Sequence, residues 1–182
     1  MGKGELLAKE LEEKEIEVLQ DRVNSNSKMI NDLTNKLVAD YCKQLDNYVT
    51  FVKSLLEDNE HPPTAQELDD IVMNLPVLLY FCGEAQENLG IKTDVAKAVK
   101  QEKYNEIYRE VKGTIADKTA KSELAAQSET VTHIIYDRAY KIVKEKMNAA
   151  YELLSSCKKV ISRRMSEYEL GGVDSGRFKQ NR

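Results

Sequence analysis

Two sets of cations, one of them interleaved with aromatic rings, are the residues of this chain best suited to chemistry with a partner. Between Lys92 and Lys121 eight Lys or Arg stand against five acids. On a helical projection Lys97, Lys100, Tyr104, Tyr108 and Lys112 fall within one broad face, and Lys103 belongs to the same run. Lysines neutralise phosphates and rings stack on bases, which is how single-stranded nucleic acid is held without reading its sequence. Ile107, Val111 and Ile115 share part of that face, so the same tyrosines also suit a core with lysine stems lying along its edge. The second set is Lys158, Lys159, Arg163 and Arg164, followed by Arg177, Lys179 and Arg182. Cations in the last turns of a helix complement its dipole, a structural role that competes with phosphate binding.

Enzyme chemistry finds little support. Only two histidines are present. Glu129 and His133 are four residues apart, where a di-iron bundle needs Glu and His at i and i+3, and the Asp58 to His61 pair stands at a helix end before two prolines. No phosphate-cradling glycine loop, dinucleotide fingerprint or nucleophile elbow occurs. The expectation is a non-enzyme with no metal and no cofactor. Cys42, Cys82 and Cys157 are odd in number, far apart and set in apolar helical contexts, as buried thiols of a reducing compartment are.

The elements that must carry these side chains are helices. Gly and Pro are scarce and charged residues make up 32%, a composition that favours long solvated helices over a sheet. From Glu129 to Tyr168 apolar residues return at intervals of four and three: Tyr136, Tyr140, Val143, Met147, Ala150, Leu154, Cys157, Ile161 and Tyr168. That heptad seam needs a facing partner. No Gly or Pro interrupts Thr114 to Leu170, so one unbroken rod is expected there. The seam residues Tyr140, Val143, Met147, Ala150, Leu154, Cys157 and Ile161 are the expected oligomer interface.

Upstream, residues 4 to 22 read as a charged helix with a thin stripe of Leu7, Leu11, Ile16, Leu19 and Val23, interrupted at Asn24-Ser25-Asn26-Ser27. A sharper pattern runs from Lys28 to Asp58. His61-Pro62-Pro63 ends it, and Thr64 to Glu67 has the form of a capping box. Pro76 predicts a kink or restart, Gly90 a stop, Thr93 or Asp94 a new cap, and Gly113 another stop before Thr114 and Asp117. The expectation is six helical segments in an all-α, elongated bundle with coiled-coil-like oligomerisation. Its parts would be a charged arm at 1-24, an acidic helical region at 25-90, a basic hairpin with the long heptad helix at 91-170, and a disordered basic tail at 171-182.

Charge is divided along the chain. Residues 1-90 hold 8 Lys or Arg against 18 Asp or Glu, and residues 91-182 hold 19 against 13. A basic second half suits an anionic partner or the acidic half of a neighbouring copy. The most apolar run, Leu75 to Cys82, is too short to span a bilayer, no signal-like apolar core opens the chain, and Leu6 stands where a myristoylation site wants Ser or Thr. A soluble, cytoplasmic protein without a membrane partner is expected.

From about Lys97 to Ser166 the order of features resembles the small helical recombination mediators of tailed phages, the UvsY-like proteins. The features are a basic Tyr-bearing helix from Lys100-Gln101-Glu102-Lys103-Tyr104 to Tyr108-Arg109-Glu110, then Gly113, an acidic and alanine-rich step, and a closing amphipathic helix from Tyr136-Asp137-Arg138-Ala139-Tyr140 to Ile161-Ser162-Arg163-Arg164. The resemblance covers under half the chain. It implies a ring-like homo-oligomer that binds single-stranded DNA and helps load a recombinase, located in the host cytoplasm if phage-encoded. The expected function is therefore a non-enzymatic single-strand-binding accessory protein of recombination or replication. The competing expectation is a helical scaffold or adaptor, or an inhibitor of a host protein, acting by protein contacts alone.

Overall fold

The computed structural model describes the backbone of residues 3-58 and 60-177, and the side chains of 16-58 and 60-169. Four helices account for nearly all of them: α1 (Lys3–Glu57), α2 (Ala65–Glu110), α3 (Ile115–Ala125) and α4 (Gln127–Arg177). No strand occurs among the described residues. The chain is all-α.

Four helices replace the six expected because several local stop signals are overridden. α1 passes through Asn24 to Ser27, since these residues are poor helix formers by only a few tenths of a kcal/mol each and long helical stretches flank them. α2 passes through Pro76 and Gly90, and leaves Thr93 and Asp94 in mid-helix. At Gly90 the reason is packing: the preceding Leu89 is fully buried, and core burial outweighs the roughly 1 kcal/mol that a glycine costs a helix. At the other end Gly171 and Gly172 lie within α4, which continues to Arg177, so the expected disordered tail is helical as far as it is described. Lys179 and Arg182 lie outside the described residues.

Two stop and start signals act as read. The Thr64 N–H donates to Glu67 Oε2 at 2.7 Å while the Glu67 N–H donates back to Thr64 Oγ1 at 3.2 Å, closing the capping box that opens α2. Gly113 has φ +149, a conformation few L side chains adopt, and it turns the chain into a second capping box. There the Thr114 N–H donates to Asp117 Oδ2 at 3.1 Å and the Asp117 N–H to Thr114 Oγ1 at 3.2 Å. The expected rod from Thr114 onwards is interrupted once, at Ala126 (φ -93, ψ 16). Hydrogen bonding bridges the interruption, because the Ala126 N–H still donates to Ser122 O at 3.0 Å and the Thr130 N–H to Ala126 O at 2.9 Å.

The helices pack as two units that cut across the four expected parts, residues 1-38 with 90-139 and residues 39-89 with 140-182. The second unit is a three-helix bundle. α1 supplies Cys42, Leu45 and Val52 to its core, α2 supplies Leu68, Ile71, Leu75, Leu79 and Cys82, and α4 supplies Val143, Met147, Ala150, Leu154 and Cys157, all buried. These follow the 3-4 spacing that lets one stripe of each helix face the other two. The heptad seam of α4 is thus occupied inside the chain. The expectation of an oligomer interface there is corrected in this respect: Val143, Met147, Ala150, Leu154 and Cys157 are core residues, Tyr140 and Ile161 half-buried flanks, and only Tyr168 stands clear of the core. Polar contacts tie the rim of this bundle. Lys146 pairs with Asp46, the Tyr48 hydroxyl donates to Asp70 O at 3.3 Å, and Gln86 Nε2 donates to the Tyr140 hydroxyl at 3.4 Å.

The first unit has a thinner core of small residues. Val38, Ala96, Ala126, Ala139, Thr34 and Ser122 are buried. Ser122 satisfies its hydroxyl by donating to Lys118 O at 2.8 Å, whereas Thr34 Oγ1 is buried with no hydrogen-bond partner. Small side chains let helices approach closely but each contributes little apolar area.

Candidate nucleic-acid interface

The first cation set lies wholly within the first unit. Lys97, Lys100, Tyr104 and Tyr108 lie on one face of the last four turns of α2, and Lys112 follows just past its end. Lys97 and Lys112 are exposed, while Lys100, Tyr104 and Tyr108 are half-buried. The two rings stack on each other with centroids 6.0 Å apart and planes 18° from parallel. Lys118 of α3 sets its ammonium 5.6 Å from the Tyr108 ring centre, a cation held over an aromatic face. The arrangement is intermediate between the two readings of the sequence: neither ring is a core residue, and neither is fully presented.

The acids of the last turns of α2 keep to another side, whereas Asp94 stands one turn before Lys97 on the basic side. Glu102, Glu106 and Glu110 recur every fourth residue on a stripe displaced by half a turn or so from Tyr104 and Lys97, and with Lys103, Arg109 and Glu129 they line a concavity of about 680 Å³. Four carboxylates there repel phosphate. Lys103 is drawn to this acidic side. Its ammonium lies 2.9 Å from Glu106, and the hydrogen bond and charge of Glu106, with further help from Glu129 and Glu110, raise its pKa. Lys103 thus leans towards Glu106, and the cations left beside the two rings are Lys97, Lys100, Lys112 and Lys118.

Lys118 is the member of this set that helical projection alone does not supply. A signal for it exists in the sequence: Gly113 and the Thr114 to Asp117 capping box fix a tight turn, so the first cation of α3 must return beside the last aromatic of α2. What the sequence lacks is the direction of that turn.

The second cation set lies in the other unit, on α4 several turns before its described end at Arg177. Lys158, Lys159 and Arg163 are exposed. Arg163 reaches Glu167 at 3.4 Å, an exposed pair that water screens. Arg164 is used internally, its guanidinium donating to Pro63 O at 2.8 Å and so fastening α4 to the connection between α1 and α2. Arg177 is helical backbone whose side chain lies outside the described residues.

Among the described residues no group of three or more His, Cys, Asp or Glu is placed to hold a metal ion. Asp58 caps the turn after α1, its Oδ1 accepting from the Glu60 and His61 N–H groups at 3.0 Å, and His61 Nδ1 lies 3.4 Å from the same carboxylate. The three thiols are free and buried, and burial raises the pKa of each, which keeps them protonated and poorly nucleophilic. A groove of about 400 Å³ in the first unit is lined by the apolar side chains of Ile91, Val95 and Val99 of α2 and by Tyr136 of α4, with Lys92, Ser128, Glu129 and Thr132 also on its wall. Among the described residues no helix is long and apolar enough to cross a membrane. Comparison with protein-family models, with characterised proteins and with solved structures gave no match.

Proposed function

We propose that this chain is a non-enzymatic accessory protein that holds single-stranded nucleic acid, with DNA recombination or replication as the process it serves and a recombinase or similar protein as its partner. The observation that supports this reading best is the pairing of the stacked Tyr104 and Tyr108 with Lys97 and Lys100 of α2 and Lys118 of α3, while Glu102, Glu106 and Glu110 keep to another side of α2. A polynucleotide approaching this surface meets cations spaced along a helix and a stacked ring pair, where the Tyr104 face turned away from Tyr108 is the one on which a base can stack. Lys158, Lys159 and Arg163 form a second patch of the same sign. Binding of this kind does not depend on base sequence and falls with salt.

The test is fluorescence anisotropy of a labelled single-stranded oligonucleotide across a salt series. Affinity should fall linearly on a log-log plot with a slope of about -0.7 per phosphate contact. The double variant Lys97→Glu, Lys100→Glu should flatten that slope with unchanged helicity. Tyr104→Ala separates the two roles of the rings, because a stacked base is worth roughly 1-3 kcal/mol of binding, whereas a packing ring would register in the melting temperature. Absence of binding at about 50 mM salt, where phosphate contacts are strong, would overturn the proposal.

One observation favours the alternative, an adaptor or assembly protein acting by protein contacts. In the three-helix unit Met73, Val77, Tyr80 and Phe81 stand exposed on α2 away from its core stripe, and a contiguous apolar patch of this kind marks an interaction surface.

A further inference from the structure

The first described turns of α1 have no packing partner in this chain. Every residue from 16 to 29 is exposed, and the first buried position is Thr34. A solitary helix segment of this length is marginal in water and takes its stability from a packed face. Its apolar face is present and unused: Ile16, Leu19 and Val23 are 54%, 59% and 62% exposed.

Their spacing says what covers them. Ile16, Leu19, Val23, Asn26, Ile30 and Leu33 follow one another at intervals of three, four, three, four and three, the a and d positions of a heptad. The a row is β-branched throughout, and the d row is Leu except for Asn26. That distribution favours two parallel strands over higher orders. We infer that residues 16-33 of α1 pair with the same residues of a second copy of this chain, in a parallel and in-register two-stranded coiled coil.

Asn26 selects the orientation. Its side-chain amide needs a hydrogen-bond partner once covered, and only the parallel in-register pairing sets it against another Asn26. An antiparallel pairing sets it against a β-branched a residue instead. Charge raises no objection, since Arg22 is the one charged residue at the flanking e and g positions of this stretch. The exposed seam side chains present on the order of 100 Å² each, so two copies remove roughly 1,000 Å² from water, the lower edge of the range for a specific interface. The inference rests on neither the strand-binding proposal nor the α4 seam.

Sedimentation equilibrium of the full chain without nucleic acid tests it. The wild type should self-associate, and the double variant Leu19→Glu, Val23→Glu should weaken association at least tenfold while circular dichroism loses no more than the helical signal of the first turns of α1 and the thermal transition of the packed helices stays in place, because neither side chain packs within the monomer. Asn26→Cys reads orientation: under an added oxidant it should give a disulfide-linked dimer in high yield. A monomeric wild type, or association untouched by the double variant, would overturn the inference, and association without Asn26→Cys cross-linking would overturn the parallel pairing. Because no oligonucleotide is present, none of these outcomes bears on strand binding.

Discussion

Gly113 shows how much of the candidate interface depends on one residue with no side chain. Its φ of +149 costs an L residue strain, and a Cβ there would stand 3.2 Å from both Cβ and Oδ2 of Asp117. Asp117 is the carboxylate of the α3 capping box, so Gly113→Ala damages two things together, the turn and the cap. A loss of about 1-3 kcal/mol is expected, read from the urea midpoint. The variant should also weaken oligonucleotide binding, because the capped turn is what sets Lys118 over Tyr108. An unchanged midpoint would show that the turn relaxes freely.

Among the elements, α4 shows best what the sequence discloses and what it withholds. Its heptad is legible because Val143, Met147, Ala150, Leu154 and Cys157 keep one register, and the structure buries that register. The sequence cannot say whether a seam faces its own chain or a copy, since both need the same spacing; that choice belongs to Cys42, Leu45 and Leu75, which lie about 70 to 115 residues earlier. Helix ends divide in a similar way. Thr64 with Glu67, and Thr114 with Asp117, are local hydrogen-bond devices and can be read directly. Pro76 and Gly90 carry local penalties that core residues such as Leu75 and Leu89 outweigh, and burial is not visible in a short window. In the candidate site the shared face of Lys97, Lys100, Tyr104 and Tyr108 follows from helical geometry, whereas the diversion of Lys103 to Glu106 and of Arg164 to Pro63 depends on side-chain positions in the folded chain. The α4 assignment has a consequence. Leu154 is buried in the three-helix bundle, so Leu154→Lys should lower stability by several kcal/mol and bring the thermal transition down, with any loss of assembly following from unfolding. A variant that dissociates while melting at the wild-type temperature would return the seam to a copy of the chain.

Over the whole molecule, folding redistributes charge and fixes how stability responds to pH. The first unit contains 15 Lys or Arg against 16 Asp or Glu, and the second 12 against 15, so the division between acidic and basic halves of the chain is nearly erased within each unit. Net repulsion is therefore small, and the pH dependence comes from particular groups. Burial is the first cause that raises the pKa of Cys42, Cys82 and Cys157, and it carries Cys42 from 9.0 to about 12, with the neighbouring Cys82 and Asp46 adding to the effect. A raised pKa means that the folded chain holds a proton that the unfolded chain releases. This stabilisation is complete below pH 9 and declines as pH rises through 9 towards 12, by at most about 1.4 kcal/mol per pH unit for each thiol. On the acid side the sign reverses. The capping-box hydrogen bonds from Thr64 and Thr114 lower the pKa of Glu67 and Asp117, so their contribution is present above the ordinary carboxylate range and is lost as pH falls through the lowered values. Urea midpoints should accordingly be level near neutrality and fall on both flanks. Because Tyr and Lys also titrate above pH 9, the thiol share is isolated by Cys42→Ala, Cys82→Ala. That variant should be less stable at pH 7, having lost buried side chains, yet its midpoint should decline more gently than that of the wild type between pH 9 and 11. Parallel declines would mean that the thiols titrate alike in the folded and unfolded chains, and that the alkaline limb belongs to tyrosines and lysines.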